Sequence, residues 1–163
     1  MTPDRERFEF AFMHRYRLPL AVLGIGPRTA WVVFESNGLT IQFGRWRLRT
    51  PIDNVRDARR TGPYRGWRTV GPRMSLADCG VTFGTTSAAG VCIQFASAVP
   101  ALLPANWPRH PAATVTVADP DRLVALLTRA VARQAPDVMA CGRDVSRRCR
   151  TVISQVPWDR CAR

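Results

Sequence analysis

Arg45, Arg47 and Arg49 alternate with Trp46 and Leu48. In an extended chain successive side chains point to opposite faces, so this spacing gathers three guanidinium groups on one face and turns two apolar groups to the other. The chemistry such a face offers is anion recognition, because guanidinium is permanently charged and its planar fork matches carboxylate and phosphate. Arg65 and Arg68 extend the basic segment, and Tyr64 and Trp67 supply rings for stacking or interfacial anchoring. From Arg45 to Arg73 nine arginines face only Asp53 and Asp57, so +7 of the net charge of +12 lies in this stretch. All 24 basic residues are arginine. An arginine-biased codon usage gives the same composition, and composition alone leaves both readings open.

Catalytic chemistry finds less to work with. Cys79, between Asp78 and Gly80, is a conceivable nucleophile with His110 as its base, but the adjacent carboxylate disfavours the thiolate. Cys92, between Val91 and Ile93, reads as a small buried hydrophobe. No pair of carboxylates stands out for acid–base work. Gly24-Ile25-Gly26 lacks the third glycine of a dinucleotide fingerprint, and a phosphate loop ending in Gly-Lys is impossible without lysine. With His14 and His110 the only histidines and no C-x-x-C among five cysteines, neither a metal site nor a cofactor is expected. The odd cysteine count predicts no disulfide framework, as in a reducing cytosol.

The elements that must position the arginines are mostly strands. Phe8, Phe10 and Phe12 recur with period 2 and predict a first strand. Ala30 to Phe34 is apolar and β-branched, and Ser36-Asn37-Gly38 predicts a tight turn with positive-φ residues. Leu39 to Phe43 alternates strictly, and the arginine strand follows Gly44 and ends at Pro51. Ile52 to Ala58 predicts a short further strand before a long loop from Arg59 to Leu76. Val81 to Thr85 and Gly90 to Phe95 read as a hairpin with Val81, Phe83, Val91, Ile93 and Phe95 inward, and Thr114 to Val117 as a last strand. Asp119-Pro120 opens a helix whose Leu123, Leu126, Leu127, Ala130 and Val131 form one apolar stripe.

The order of hairpins followed by one capping helix resembles a pleckstrin-homology-like domain of the divergent bacterial kind. The residues that carry the likeness are Gly38-Leu39-Thr40-Ile41-Gln42-Phe43-Gly44 and Pro51-Ile52-Asp53-Asn54-Val55. Gly62-Pro63-Tyr64, Trp67 and Ser75 to Gly80 resemble segments of actinobacterial proteins that carry no assigned activity. Phosphoinositide-binding members of the fold use basic residues between their first two strands; here the densest arginines come later, so no lipid-binding position carries over.

The chain is therefore expected to be mainly β: a small antiparallel barrel or two-sheet sandwich capped by one C-terminal helix. Residues 1–136 form one domain with the helix at about 119–134, and 137–163 a basic, cysteine-containing tail, poorly ordered. No segment has the roughly 18 consecutive apolar residues of a membrane span, and Met1 to Tyr16 alternates charges and aromatics without the cleavage site of a secretory signal, so the expected place is the cytoplasm or the inner membrane face. The expected function is a non-enzymatic binding or adaptor module meeting an acidic protein or an anionic membrane through Arg45, Arg47, Arg49, Arg65 and Arg68. Nucleic-acid binding by the same arginines is the alternative, and a barrel holding a small apolar ligand a third.

Overall fold

Alternation of apolar and polar side chains builds the first sheet. In the computed structural model, which describes residues 5–64, 70–74, 80–101 and 109–134, β1 (Arg5–Glu9), β2 (Ala30–Glu35), β3 (Gly38–Phe43) and β4 (Trp46–Pro51) form an antiparallel meander in that order. Two-residue turns, Ser36–Asn37 and Gly44–Arg45, join β2 to β3 and β3 to β4. Gly44 has φ +61°, which glycine adopts without a steric penalty. Gly38 lies in β3 rather than in the turn, where a Cβ would come 3.2 Å from the Thr50 carbonyl oxygen. Phe8, Val32, Phe34, Leu39, Ile41, Phe43 and Leu48 are buried on the inner face.

Pro51 ends β4, and a single 3-10 turn at Ile52–Asn54 redirects the chain. The Asn54 amide fixes this corner: it donates to Thr50 Oγ1 at 2.9 Å and to the Ser97 carbonyl at 2.9 Å, and accepts from the Ser97 N–H at 2.7 Å. The second sheet contains β5 (Val55–Thr61), β6 (Gly71–Met74), β7 (Val81–Gly84), β8 (Gly90–Pro100) and β9 (Arg109–Val115), in the order β5-β8-β9-β7-β6. A bulge in β5 leaves Arg56 opposite no residue of β8, so Val55 and Ala58 are both buried. The sheets meet where Phe10 bridges Val117 and where the Phe43 ring lies 5.1 Å from Phe10 and 5.2 Å from Phe83.

Helix α2 (Pro120–Gln134) closes the sandwich, packing chiefly on β5. Asp119 Oδ1 accepts the Arg122 N–H at 3.1 Å, a cap worth about 1 kcal/mol. Leu123, Leu126, Leu127 and Ala130 are buried beneath it. Arg60 reaches Asp121 at 2.9 Å in a largely exposed pair that adds under about 1 kcal/mol, and Arg122 pairs with Glu6, whose carboxylate is mostly shielded from solvent. The result is a mainly β, two-sheet sandwich capped by a C-terminal helix, not a closed barrel. Among the described residues no helix is long and apolar enough to cross a membrane.

Several expectations are corrected. Strands β7 and β8 do not form a hairpin: β9 lies between them, antiparallel to β8 and parallel to β7. The five inward residues named from sequence are buried all the same, because either pairing preserves the faces. Thr85 shows why the chain does not turn straight back. Its hydroxyl donates to the Ala11 carbonyl at 2.6 Å and its N–H donates to Thr116 Oγ1 at 2.8 Å, tying the end of β7 to distant segments.

The first strand stops at Glu9, and residues 14–22 form a helix, α1 (His14–Val22), which contains Pro19. Within the stretch read as a loop, β5 runs on to Thr61 and β6 pairs with β7, Pro72 being tolerated because β6 is the sheet's edge. The last strand begins earlier, at Arg109, and ends at Val115. Cys92 is fully buried and disulfide-bonded, against the disulfide-free expectation. The other four cysteines, Cys79, Cys141, Cys149 and Cys161, lie outside the described residues, as does the expected tail.

Candidate anion-binding site on the first sheet

Arg47 and Arg49 stand on the outer face of β4, with Arg45 in the turn before it, and all three are exposed. Register carries this face across the sheet. One row runs Arg7, Val33, Thr40, Arg49 and the next Glu9, Trp31, Gln42, Arg47. Val33 is only 3% exposed although it faces outward, flanked across the strands by Arg7 and Thr40. Five arginines (Arg5, Arg7, Arg45, Arg47 and Arg49) thus share one side of the molecule with two carboxylates, Glu9 and Glu35.

The balance of charge favours an anion on the β4 side. Arg5 pairs with Glu35 at 3.6 Å, and the Arg7 guanidinium lies 5.3 Å from the centre of the Trp31 ring. Arg47 Nε donates to Gln42 Oε1 at 2.5 Å, and Gln42 Nε2 in turn donates to the Gly44 carbonyl at 2.6 Å. This relay holds the Arg47 side chain across β3. Arg45, Arg47 and Arg49 have no carboxylate partner among the described residues. Beside Arg49 an open cleft of about 250 Å³ runs between Glu35, Asn37, Thr40 and Pro51.

The backbone adds a second feature. Each two-residue turn is closed by a hydrogen-bonded pair, Glu35 with Gly38 and Phe43 with Trp46, and such pairs alternate along an antiparallel ladder. Trp46, Leu48 and Thr50 therefore bond to β3, which leaves the N–H and C=O groups of Arg47 and Arg49 directed away from the sheet. Among the described residues no strand is hydrogen-bonded to this side of β4. Trp46 is half-buried against the core, as its alternation predicts.

The remaining sequence candidates do not join this face. Arg65, Trp67 and Arg68 lie outside the described residues. Tyr64 is on the second sheet: its N–H donates to the Ser87 carbonyl at 2.8 Å and its hydroxyl hydrogen-bonds Thr61 and packs against Gly90. Burial raises its pKa above the ordinary 10.0, with the Thr61 hydrogen bond opposing. The folded state then holds the phenol proton more tightly than the unfolded chain, so stability present below pH 10 falls as the pH rises past it. Urea unfolding of the wild type should show this alkaline loss, and Tyr64→Phe should lose less; equal slopes would contradict it.

Of the proposed catalytic pair, Cys79 lies outside the described residues and His110 is fully buried in β9. No group of three or more His, Cys, Asp or Glu side chains that could hold a metal occurs among the described residues. Arg5 and Arg7 were missed in the sequence, although Arg5, Arg7 and Glu9 alternate with Glu6 and Phe8 just as the β4 arginines alternate with Trp46 and Leu48.

Fold and site together define a two-sheet, helix-capped β domain with a basic outer face and an arginine-lined edge, β4, that pairs with no second strand among the described residues. No family model, no curated protein and no solved structure matches the chain.

Proposed function

We propose that the chain is a non-enzymatic binding module that takes an extended acidic segment of a partner protein as an added strand on β4. The observation that carries this reading is the coincidence, at Arg47 and Arg49, of outward main-chain hydrogen-bonding groups with uncompensated guanidinium groups. An added strand satisfies the first, and carboxylates on its alternate residues meet the second. Phosphate of a nucleic acid would satisfy only the charges, and the space between the sheets, filled by Phe10, Phe43 and Phe83, offers little to a small apolar ligand.

Kinship to pleckstrin-homology-like domains is part of the proposal. The four-strand meander and the C-terminal helix support it, while the parallel pairing of β7 with β9 departs from a run of hairpins. The Cys92 disulfide supports an oxidising compartment over the cytoplasm.

Fluorescence anisotropy with a labelled peptide carrying glutamate at alternate positions tests the function. Binding is expected, weakening with salt and by about tenfold in Arg47→Gln/Arg49→Gln, as two exposed charge pairs of somewhat under 1 kcal/mol each imply. The same peptide N-methylated at alternate amides keeps its charge and loses its strand edge. If it binds equally well, strand addition is wrong; if a single-stranded oligonucleotide binds more tightly than either peptide, the partner class is wrong.

A further inference from the structure

Four large apolar side chains are exposed among the described residues: Leu18 (81%), Val22 (88%), Leu23 (49%) and Met74 (40%). Scattered exposure of this kind is ordinary. Here, however, three of the four belong to α1 and the residue that follows it. Leu20 is buried, 2% exposed, and Tyr16 packs against the core, so one side of α1 is anchored. Leu18 and Val22 are four residues apart and share the opposite side, pointing into solvent.

The charges around them are of one sign. Residues 10 to 34 contain no Asp or Glu, and Arg15, Arg17 and Arg28 are exposed. Arg45 joins them, because the turn between β3 and β4 abuts the segment that follows α1. The Gly44 N–H donates to the Thr29 carbonyl at 2.8 Å, and a Cβ on Gly44 would lie 2.9 Å from Ile25 Cγ1. None of these four arginines forms an ion pair among the described residues.

We infer that the α1 end of the first sheet inserts into the interface of an anionic lipid bilayer, Leu18, Val22 and Leu23 entering the acyl boundary while Arg15, Arg17, Arg28 and Arg45 meet lipid phosphates. Side chains as exposed as Leu18 and Val22 project from the surface instead of lining a groove. A deformable apolar medium accommodates projections that a protein partner would have to match in shape. The rim of arginines selects anionic headgroups, and two kinds of signal together give stable peripheral attachment. The inference goes beyond the strand-addition reading, since it uses the end of the sheet and not the outward edge of β4.

Co-sedimentation with vesicles of phosphatidylcholine alone and of phosphatidylcholine with phosphatidylglycerol, paired with insertion into monolayers of the same lipids, tests it. The wild type should bind and insert only where phosphatidylglycerol is present. Leu18→Ser/Val22→Ser should weaken vesicle binding at least about tenfold through the lost apolar groups and abolish insertion. Unchanged thermal unfolding of that variant, expected because both side chains are exposed, separates the loss from misfolding. Arg47→Gln/Arg49→Gln should bind the acidic peptide about tenfold more weakly and keep the vesicles. Absence of binding to the anionic vesicles, equal binding by Leu18→Ser/Val22→Ser, or a wild-type dimer that this variant dissociates would overturn the inference.

Discussion

Phe43→Ala is expected to destabilise the fold by about 3–5 kcal/mol, a large share of the roughly 5–15 kcal/mol that holds a domain of this size together. Phe43 is fully buried and its ring is the shared member of two aromatic contacts, to Phe10 and to Phe83. Phe10 ends the first strand region and Phe83 belongs to β7, so one side chain links the two sheets. Truncation removes both contacts and leaves a void that neighbours anchored in opposite sheets can fill only in part. Urea titration should show a lower midpoint with little change in slope, since the variant still unfolds from a compact state. A loss under about 1 kcal/mol would mean that the sheets do not depend on this contact. Phe43→Leu, which restores most of the volume, should recover much of the stability.

Breaking the Cys92 disulfide comes next in size. Reduction, or Cys92→Ala, should cost about 2–4 kcal/mol and lower the thermal midpoint by roughly 5–15 °C, by restoring freedom to the unfolded chain. Cys92 is fully buried on β8, a central strand between β5 and β9, so reagents reach it slowly until the fold opens. Thiol counting on denatured, unreduced protein should find at most three of the five cysteines free, and peptide mapping of the same material names the partner. Five free thiols would remove both the bond and the case for an oxidising compartment.

These two contacts explain why the arginine face can be so one-sided. Like charges on β1 and β4 repel, and the sheet that carries them is held from its other side by buried phenylalanines that pack against the second sheet. Binding chemistry and stability reside on opposite faces of the same strands, a division that period-2 geometry makes possible. The guanidinium groups can therefore be changed with little effect on folding, which is what the tests of Arg47 and Arg49 require.

Local physics was legible in the amino-acid sequence. Strict alternation marked β3 and β4 and told which side chains face in, because a strand with one buried face has no freedom to shift by one residue. Asp119-Pro120 and the leucine stripe marked α2, since a cap and a helical period are both properties of a few neighbouring residues. The exposure of Arg45, Arg47 and Arg49 followed from the same rule. Tertiary structure alone decided which strands are neighbours. Val81 to Gly84 and Gly90 onward look like two arms of a hairpin, yet β9 separates them, because burial of both faces and the hydrogen bonds of Thr85 to Ala11 and Thr116 depend on residues far away in the chain. Helix α1 had no periodic stripe to announce it and owes its place to the burial of Leu20 and Tyr16 against the sheets. The convergence of Arg45 with Arg15, Arg17 and Arg28, and the place of β4 at the end of its sheet, likewise arise from the order in which strands assemble, a matter of long-range contacts that no local pattern encodes.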